Sequence, residues 1–222
     1  METSGGAITR TRQRGFSMVE LLITVAIFTI VMAVVVNGVV VVQQRNSSEV
    51  RKLDLTEESR QFMDQIVNDI HQAGYPSLKM FDPAGGTTSA SNTVAKGLIA
   101  VSSTAVQFEA DVDGTGVSEV YIQLVIPSGG CPCTLERGTI SKTLSLLGQT
   151  PLYYTEVTNI MNTNVFAAYE FDGDTIPLPA SASDLLLIKV IKMTVYARSP
   201  ISDTPTGVYP STTMVTEAKI NN

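Results

Sequence analysis

Apolar and polar positions divide the chain into two regimes. From Phe16 to Val42 the residues are overwhelmingly apolar, and the single ionisable side chain is Glu20. A helix over that segment is roughly 40 Å long at about 1.5 Å per residue, enough to cross the ~30 Å hydrocarbon layer of a bilayer. The valine runs 34–36 and 39–42 lower helix propensity in water. In lipid each backbone polar group needs a partner within its own segment, so helix is still required. Asn37-Gly38 is the expected weak point for a kink or local melting. From Gln43 the composition turns polar and charged. Leu55, Phe62, Ile66 and Ile70 then recur at spacings of seven, four and four, with Met63 and Val67 alongside. That stripe has helical period and predicts one face laid on a core. Gly74 followed by Tyr75-Pro76 is a stop signal. The pattern predicts one rod from about Phe16 to about Ala73, roughly 85 Å long, apolar all round at first and amphipathic afterwards.

Residues 77–96 are rich in Gly, Ser, Thr and Ala and read as an irregular surface connection. Beyond them, short β-branched and aromatic runs alternate with turn signals at 105–109, 117–126, 133–142, 152–156, 165–171, 186–198 and 212–218. This is an antiparallel pattern, with the first three runs expected to form a meander. Leu185 to Val195 is apolar on both faces apart from Lys189 and Lys192, which predicts a central strand. The expected organisation is residues 1–15 as a separate leader, 16–42 as an apolar helix, 43–75 as its amphipathic half, and 76–222 as a β-rich domain.

Charge sets the orientation. Arg10, Arg12 and Arg14 precede the apolar segment, which by the positive-inside rule keeps the N-terminus cytoplasmic and exports the remainder. Removing residues 1–15 takes away three of 15 basic and one of 21 acidic residues, moving the net charge from −6 to −8. That balance argues against nucleic-acid binding through a general basic surface. No small-residue cleavage site of the Ala-x-Ala type follows Val42, so the apolar segment is expected to stay attached.

The stretch Gly15-Phe16-Ser17-Met18-Val19-Glu20-Leu21-Leu22 resembles the processing site of type IV prepilins. The helix tail Asp69-Ile70-His71-Gln72-Ala73-Gly74-Tyr75, the Asp-rich turn at 111–116, the late strand 188–198 and Thr212-Thr213-Met214-Val215-Thr216 are similar to minor pilins of the PilW kind. The resemblance implies the α+β type IV pilin fold, a long N-terminal helix packed on an antiparallel β-sheet. It also implies cleavage by a prepilin peptidase between Gly15 and Phe16, N-methylation of the new Phe16 amine, and a role for Glu20 in joining the filament. The implied partners are other major and minor pilins, the inner-membrane assembly platform and, before assembly, inner-membrane lipid. A pseudopilin of type II secretion shares the same signal and design. Physical chemistry agrees with the carry-over: glycine lets a protease approach the backbone closely, and Glu20 in hydrocarbon costs on the order of 3 kcal/mol, part of which a partner charge recovers. An interfacial acid reaching to water is the other reading of Glu20.

Other candidate chemistry is sparse. Asp111, Asp113, Thr115 and Gly116 sit at positions one, three, five and six of a calcium loop, with Glu119 at the ninth as the nearest further carboxylate; Ile122 occupies the twelfth, where a bidentate acid belongs. A plain Asp/Gly turn is the alternative, and no other cofactor is expected. Cys131 and Cys133 flank Pro132, and three states stay open: a local bridge, two thiols, or an intermolecular link. His71 is the single histidine and has no Cys or second His at ligand spacing. No nucleophile elbow, P-loop or dinucleotide fingerprint is visible, so an enzyme tethered by a signal anchor is a distant alternative.

Overall fold

The computed structural model describes residues 15–81, 92–203 and 206–220. Arg10, Arg12 and Arg14 and the Gly/Ser/Thr-rich stretch 85–91 lie outside them. Helix α1 runs from Met18 to His71 in one element and is unbroken at Asn37-Gly38, where local melting was anticipated. Leu55, Phe62, Met63, Ile66 and Ile70 are buried, Ile66 to 1 % exposure, so the stripe at helical spacing is the face that meets the core. The helix stops as its sequence predicts: Gln72 caps it, and Gly74 takes a φ of 82°, a conformation that disfavours any side chain. Gly74 N–H then donates to the Glu109 carbonyl at 2.9 Å, tying the helix end to the sheet.

Beyond α1 come α2 (Leu78–Phe81), β1 (Leu98–Val101), β2 (Ala105–Ala110), β3 (Ser118–Val125), β4 (Cys133–Ser141), α3 (Lys142–Leu146), β5 (Leu152–Ile160), β6 (Phe166–Tyr169), β7 (Thr175–Ile176), α4 (Asp184–Leu187), β8 (Val190–Arg198) and β9 (Ser211–Lys219). Among the described residues, nine strands form one antiparallel sheet in the order β1-β2-β3-β4-β5-β8-β6-β7, with β9 on β8. The meander expected from the turn signals is β2-β3-β4, in register from Ala105↔Gln123 and Ser118↔Ser141 onward. Alternation places Val106, Phe108, Val120, Ile122 and Leu135 on the buried face.

The sheet curls. β5 pairs with β4 but meets β8 only at Ile160↔Ala197, after which the chain runs on into β6 and pairs with β8 again from Phe166↔Met193. Val165 and Phe166 N–H both reach the Ser103 carbonyl, and Ala180 N–H reaches that of Val101, drawing the β1-β2 end round toward β6. Helix α1 packs within this curl against β9, β5 and β8. The result is the α+β, type IV pilin-like architecture that the helix pattern and strand runs predict.

Some sequence expectations need correction. β1 and the two-residue β7 were not predicted, and residues 77–96 contain α2. The central strand starts at Val190, because Asp184–Leu187 forms α4; Ser181 Oγ donates to Asp184 Oδ2 at 2.7 Å at the start of that turn.

Two ion pairs fix the pieces. Arg137 on β4 sends Nε and Nη2 to Asp69 Oδ2 of α1, each at 2.8 Å. Burial pushes the Asp69 carboxyl above the ordinary carboxylate value, while the Arg137 guanidinium pulls it back in part. The second pair is Lys142 and Glu109, whose side chains are 2 % and 6 % exposed and lie 2.7 Å apart. Lys142 Nζ also donates to the Val94 carbonyl at 2.8 Å, and Lys96 N–H donates to Glu109 Oε2 at 2.6 Å. This network fastens the chain returning into β1 to β2 and to the start of α3.

Arg137→Ala strands the Asp69 carboxylate against the core and is expected to cost about 3 kcal/mol at neutral pH. The Asp69 pKa then rises further. A carboxyl raised in the folded state favours folding below its unfolded pKa and loses that contribution as pH rises through the folded one. Part of the deficit should therefore return on acidification toward pH 4. Denaturant titrations of the chain and its variant in micelles at both pH values check this. A deficit that stays constant with pH would remove Asp69 as its cause.

Candidate functional site

The segment that resembles a prepilin processing site lies at the N-terminal end of α1. Gly15, Phe16 and Ser17 precede the helix, and Ser17 is its N-cap. Val19 N–H donates to Ser17 Oγ at 3.3 Å, and Ser17 N–H donates to Glu20 Oε2 at 3.3 Å. These bonds form a capping box, so Glu20 satisfies an otherwise orphaned backbone donor at the helix start and places its negative charge at the positive end of the helix dipole. Thr24 and Thr29 return their hydroxyls to carbonyls one turn back, so polar groups in the apolar half are met within the helix.

Every side chain of this half is exposed, Phe16 to 78 %. α1 carries the one helix segment among the described residues that is long and apolar enough to cross a membrane, and no other described residue covers it. Gly15 is equally unconstrained: a Cβ there meets nothing within 4 Å. Among the described residues the fold makes no demand for glycine at this position. Gly138 is the opposite case, since a Cβ there would meet the Tyr153 ring at 3.0 Å.

The Asp-rich turn joins β2 to β3. Asp111 Oδ1 accepts from Gly116 N–H at 3.1 Å, and Asp113 Oδ1 accepts from both the N–H and the hydroxyl of Thr115, at 3.0 and 2.7 Å. Glu119 points to other partners, accepting from Gln107 Nε2 at 3.2 Å and from the Tyr121 hydroxyl. As placed, these four side chains do not form a coordination set. Among the described residues no group of three or more His, Cys, Asp and Glu side chains is arranged to hold a metal ion. The Thr115 donors hold the Asp113 carboxyl below its ordinary value. On β3, burial and the neighbouring Glu119 push the Tyr121 phenol up to about 12. Tyr121 and Tyr153 meet edge to face at 6.2 Å.

Cys131 and Cys133 are joined as a disulfide, their Cα atoms 4.4 Å apart, at the entry to β4. His71 is exposed at the helix end. The structure thus separates the sequence candidates into the helix start, the β2-β3 turn and the β4 entry. The Asp69–Arg137, Lys142–Glu109 and Glu119–Gln107 contacts carried no local sequence signal, since each joins side chains from different elements, whereas Tyr121 reaches Glu119 from two residues along the same strand.

Residues 10–36 match the model of the prokaryotic N-terminal methylation motif. Comparison with curated proteins finds no match to the chain. The motif, together with the fold, supports a type IV pilin-like or pseudopilin-like protein anchored in a membrane by a single pass. It suggests a structural subunit rather than an enzyme, and it implies processing by a prepilin peptidase and assembly with pilins in general.

Thr115→Val deletes the hydroxyl donor to Asp113 and is expected to bring that carboxyl back toward its ordinary pKa. Carboxyl-carbon NMR titration reads this directly, and an unmoved titration would show that the hydroxyl does not hold Asp113.

Proposed function

We propose that the chain is a minor pilin, a structural subunit that joins or primes a type IV pilus. The observation that carries this reading is the apolar half of α1, wholly uncovered and led by Gly15-Phe16 with Glu20 in its first turn, continuous with a half whose stripe is buried in its own domain. In this reading residues 1–15 are the leader and 16–42 the membrane and filament-core helix. Residues 43–75 carry the globular domain formed by 76–222. The N-terminus is cytoplasmic before export, and the domain lies in the periplasm and then on the filament. Prepilin peptidase cuts after Gly15 and the Phe16 amine is methylated. The free amine of Phe16 and the carboxylate of Glu20 then supply opposite charges at one helix end, available to each other or to neighbouring subunits. The resemblance of the helix tail and late strands to minor pilins supports the pilus over the secretion pseudopilus.

Mass spectrometry of the chain from cells containing prepilin peptidase should give N-methylated Phe16 as the first residue. An intact leader, or a cut beyond Val42, would overturn the reading. Glu20→Ala should be cleaved normally yet enter filaments at least roughly tenfold less, the factor that ~1.4 kcal/mol of lost docking energy produces. Normal incorporation would reduce Glu20 to an interfacial acid.

A further inference from the structure

The far end of the domain carries a polar cleft that the filament reading leaves unused. It has a volume of about 420 Å³ and is lined by Asn92, Asp111, Thr115, Ser118, Ser141 and Thr143 together with turn backbone. A second depression of about 510 Å³ shares Asp111 with it and is bordered by Tyr75, 53 % exposed. The Tyr75 carbonyl accepts the Asp111 N–H at 2.9 Å, so the two residues are adjacent, and both border this second depression. From Val42 to His71 the helix rises roughly 44 Å, which sets the cleft at the end of the molecule away from the apolar segment.

From this geometry we propose that the cleft binds a neutral pyranose sugar. Its lining offers hydroxyls, one side-chain amide and one carboxylate, the groups that exchange hydrogen bonds with a polyol. Asp111 uses one acceptor position on Gly116 N–H, and a carboxylate has about four. Among the described residues no lysine or arginine lines either depression, His71 being the one basic side chain at the second, and the carboxylate disfavours an anion. Tyr75 lies outside the cleft proper, in the depression that joins it at Asp111, and its half-exposed ring is the apolar surface there on which the C–H face of a sugar ring can rest.

The walls are fixed before any ligand arrives. Lys142 lies between Ser141 and Thr143, and its buried ammonium bonds both Glu109 and the Val94 carbonyl, two residues beyond Asn92. Asn92 Nδ2 meets Thr143 Oγ1 at 3.4 Å between the two walls, and Ser118 pairs with Ser141 across β3 and β4. A site pinned in this way loses little conformational freedom on binding.

The test uses the full chain in lipid nanodiscs, free of sugar detergents. Fluorescence polarisation is read with labelled chito-, manno- and galacto-oligosaccharides, which sort envelope-type from surface-type glycans. At least one should saturate below roughly 1 mM. Tyr75→Ala and Thr143→Val should each weaken it about tenfold, one good contact's worth. Tyr75→Phe and Leu147→Ala, the latter outside the cleft, should leave it unchanged, with circular dichroism confirming that every variant is folded. Three results would each overturn the proposal: no neutral probe bound below that concentration, a preference for sialylated or sulfated probes, or binding that needs calcium and ignores both cleft variants. This outcome is independent of the N-terminal mass, so failure here leaves the filament reading untouched.

Discussion

The unbroken hydrogen-bond ladder of α1 is the constraint on which the rest of the structure depends. One helix has to serve two environments, an apolar half that no other described residue covers and an amphipathic half that completes a core. Only a geometry that satisfies its backbone internally works in both. The valine-rich segment is poorly suited to being helical in water and is helical here because it continues a rod whose other end is packed. The β-domain in turn needs the helix, since the buried face of its curled sheet closes around Phe62, Ile66 and Ile70.

Apolar burial holds helix and sheet together, and two ion pairs, one buried and one half-buried, decide how they sit. Buried pairs contribute little net stability, because desolvation offsets most of their attraction, but a wrong register leaves a charge stranded and costs several kcal/mol. Asp69 and Arg137 set the rotation of α1 over β4 in this manner. Lys142 and Glu109 do the same for the chain entering β1. A slippery apolar contact becomes a single arrangement.

Most of the helix was legible in the sequence because its signals are long and periodic: a stripe that repeats for several turns, then Gly74 and Pro76. The strands β2 to β4 were legible for the same reason, alternation between Asp/Gly and Pro/Gly turns. Leu185–Leu187 was misread because a short apolar run does not distinguish a strand from a helical turn; Ser181 and Asp184 at its start were the usable clue. β1 and β7, of four and two residues, are too short to show a period. At the candidate site, Gly15, Phe16 and Glu20 fall within six consecutive residues and could be singled out there, although the capping bond of Glu20 could not. The polar cleft draws its walls from residues 92, 111–118 and 141–143, and the partners of Glu119 come from β2 and β3. Such sets exist only after the sheet has formed.

The Asp69–Arg137 contact has a mechanical side. A pull along α1, as a subunit under tension in a filament would feel, enters the domain through the buried stripe and leaves through the sheet. The helix lies against β9, β5 and β8 with its end tied to β2, so such a load slides it along the sheet instead of peeling it off. Sliding engages many contacts at once, and the guanidinium clasp sits within that path as a detent. In a filament the domain would then be carried on its stalk as a bracket loaded in shear.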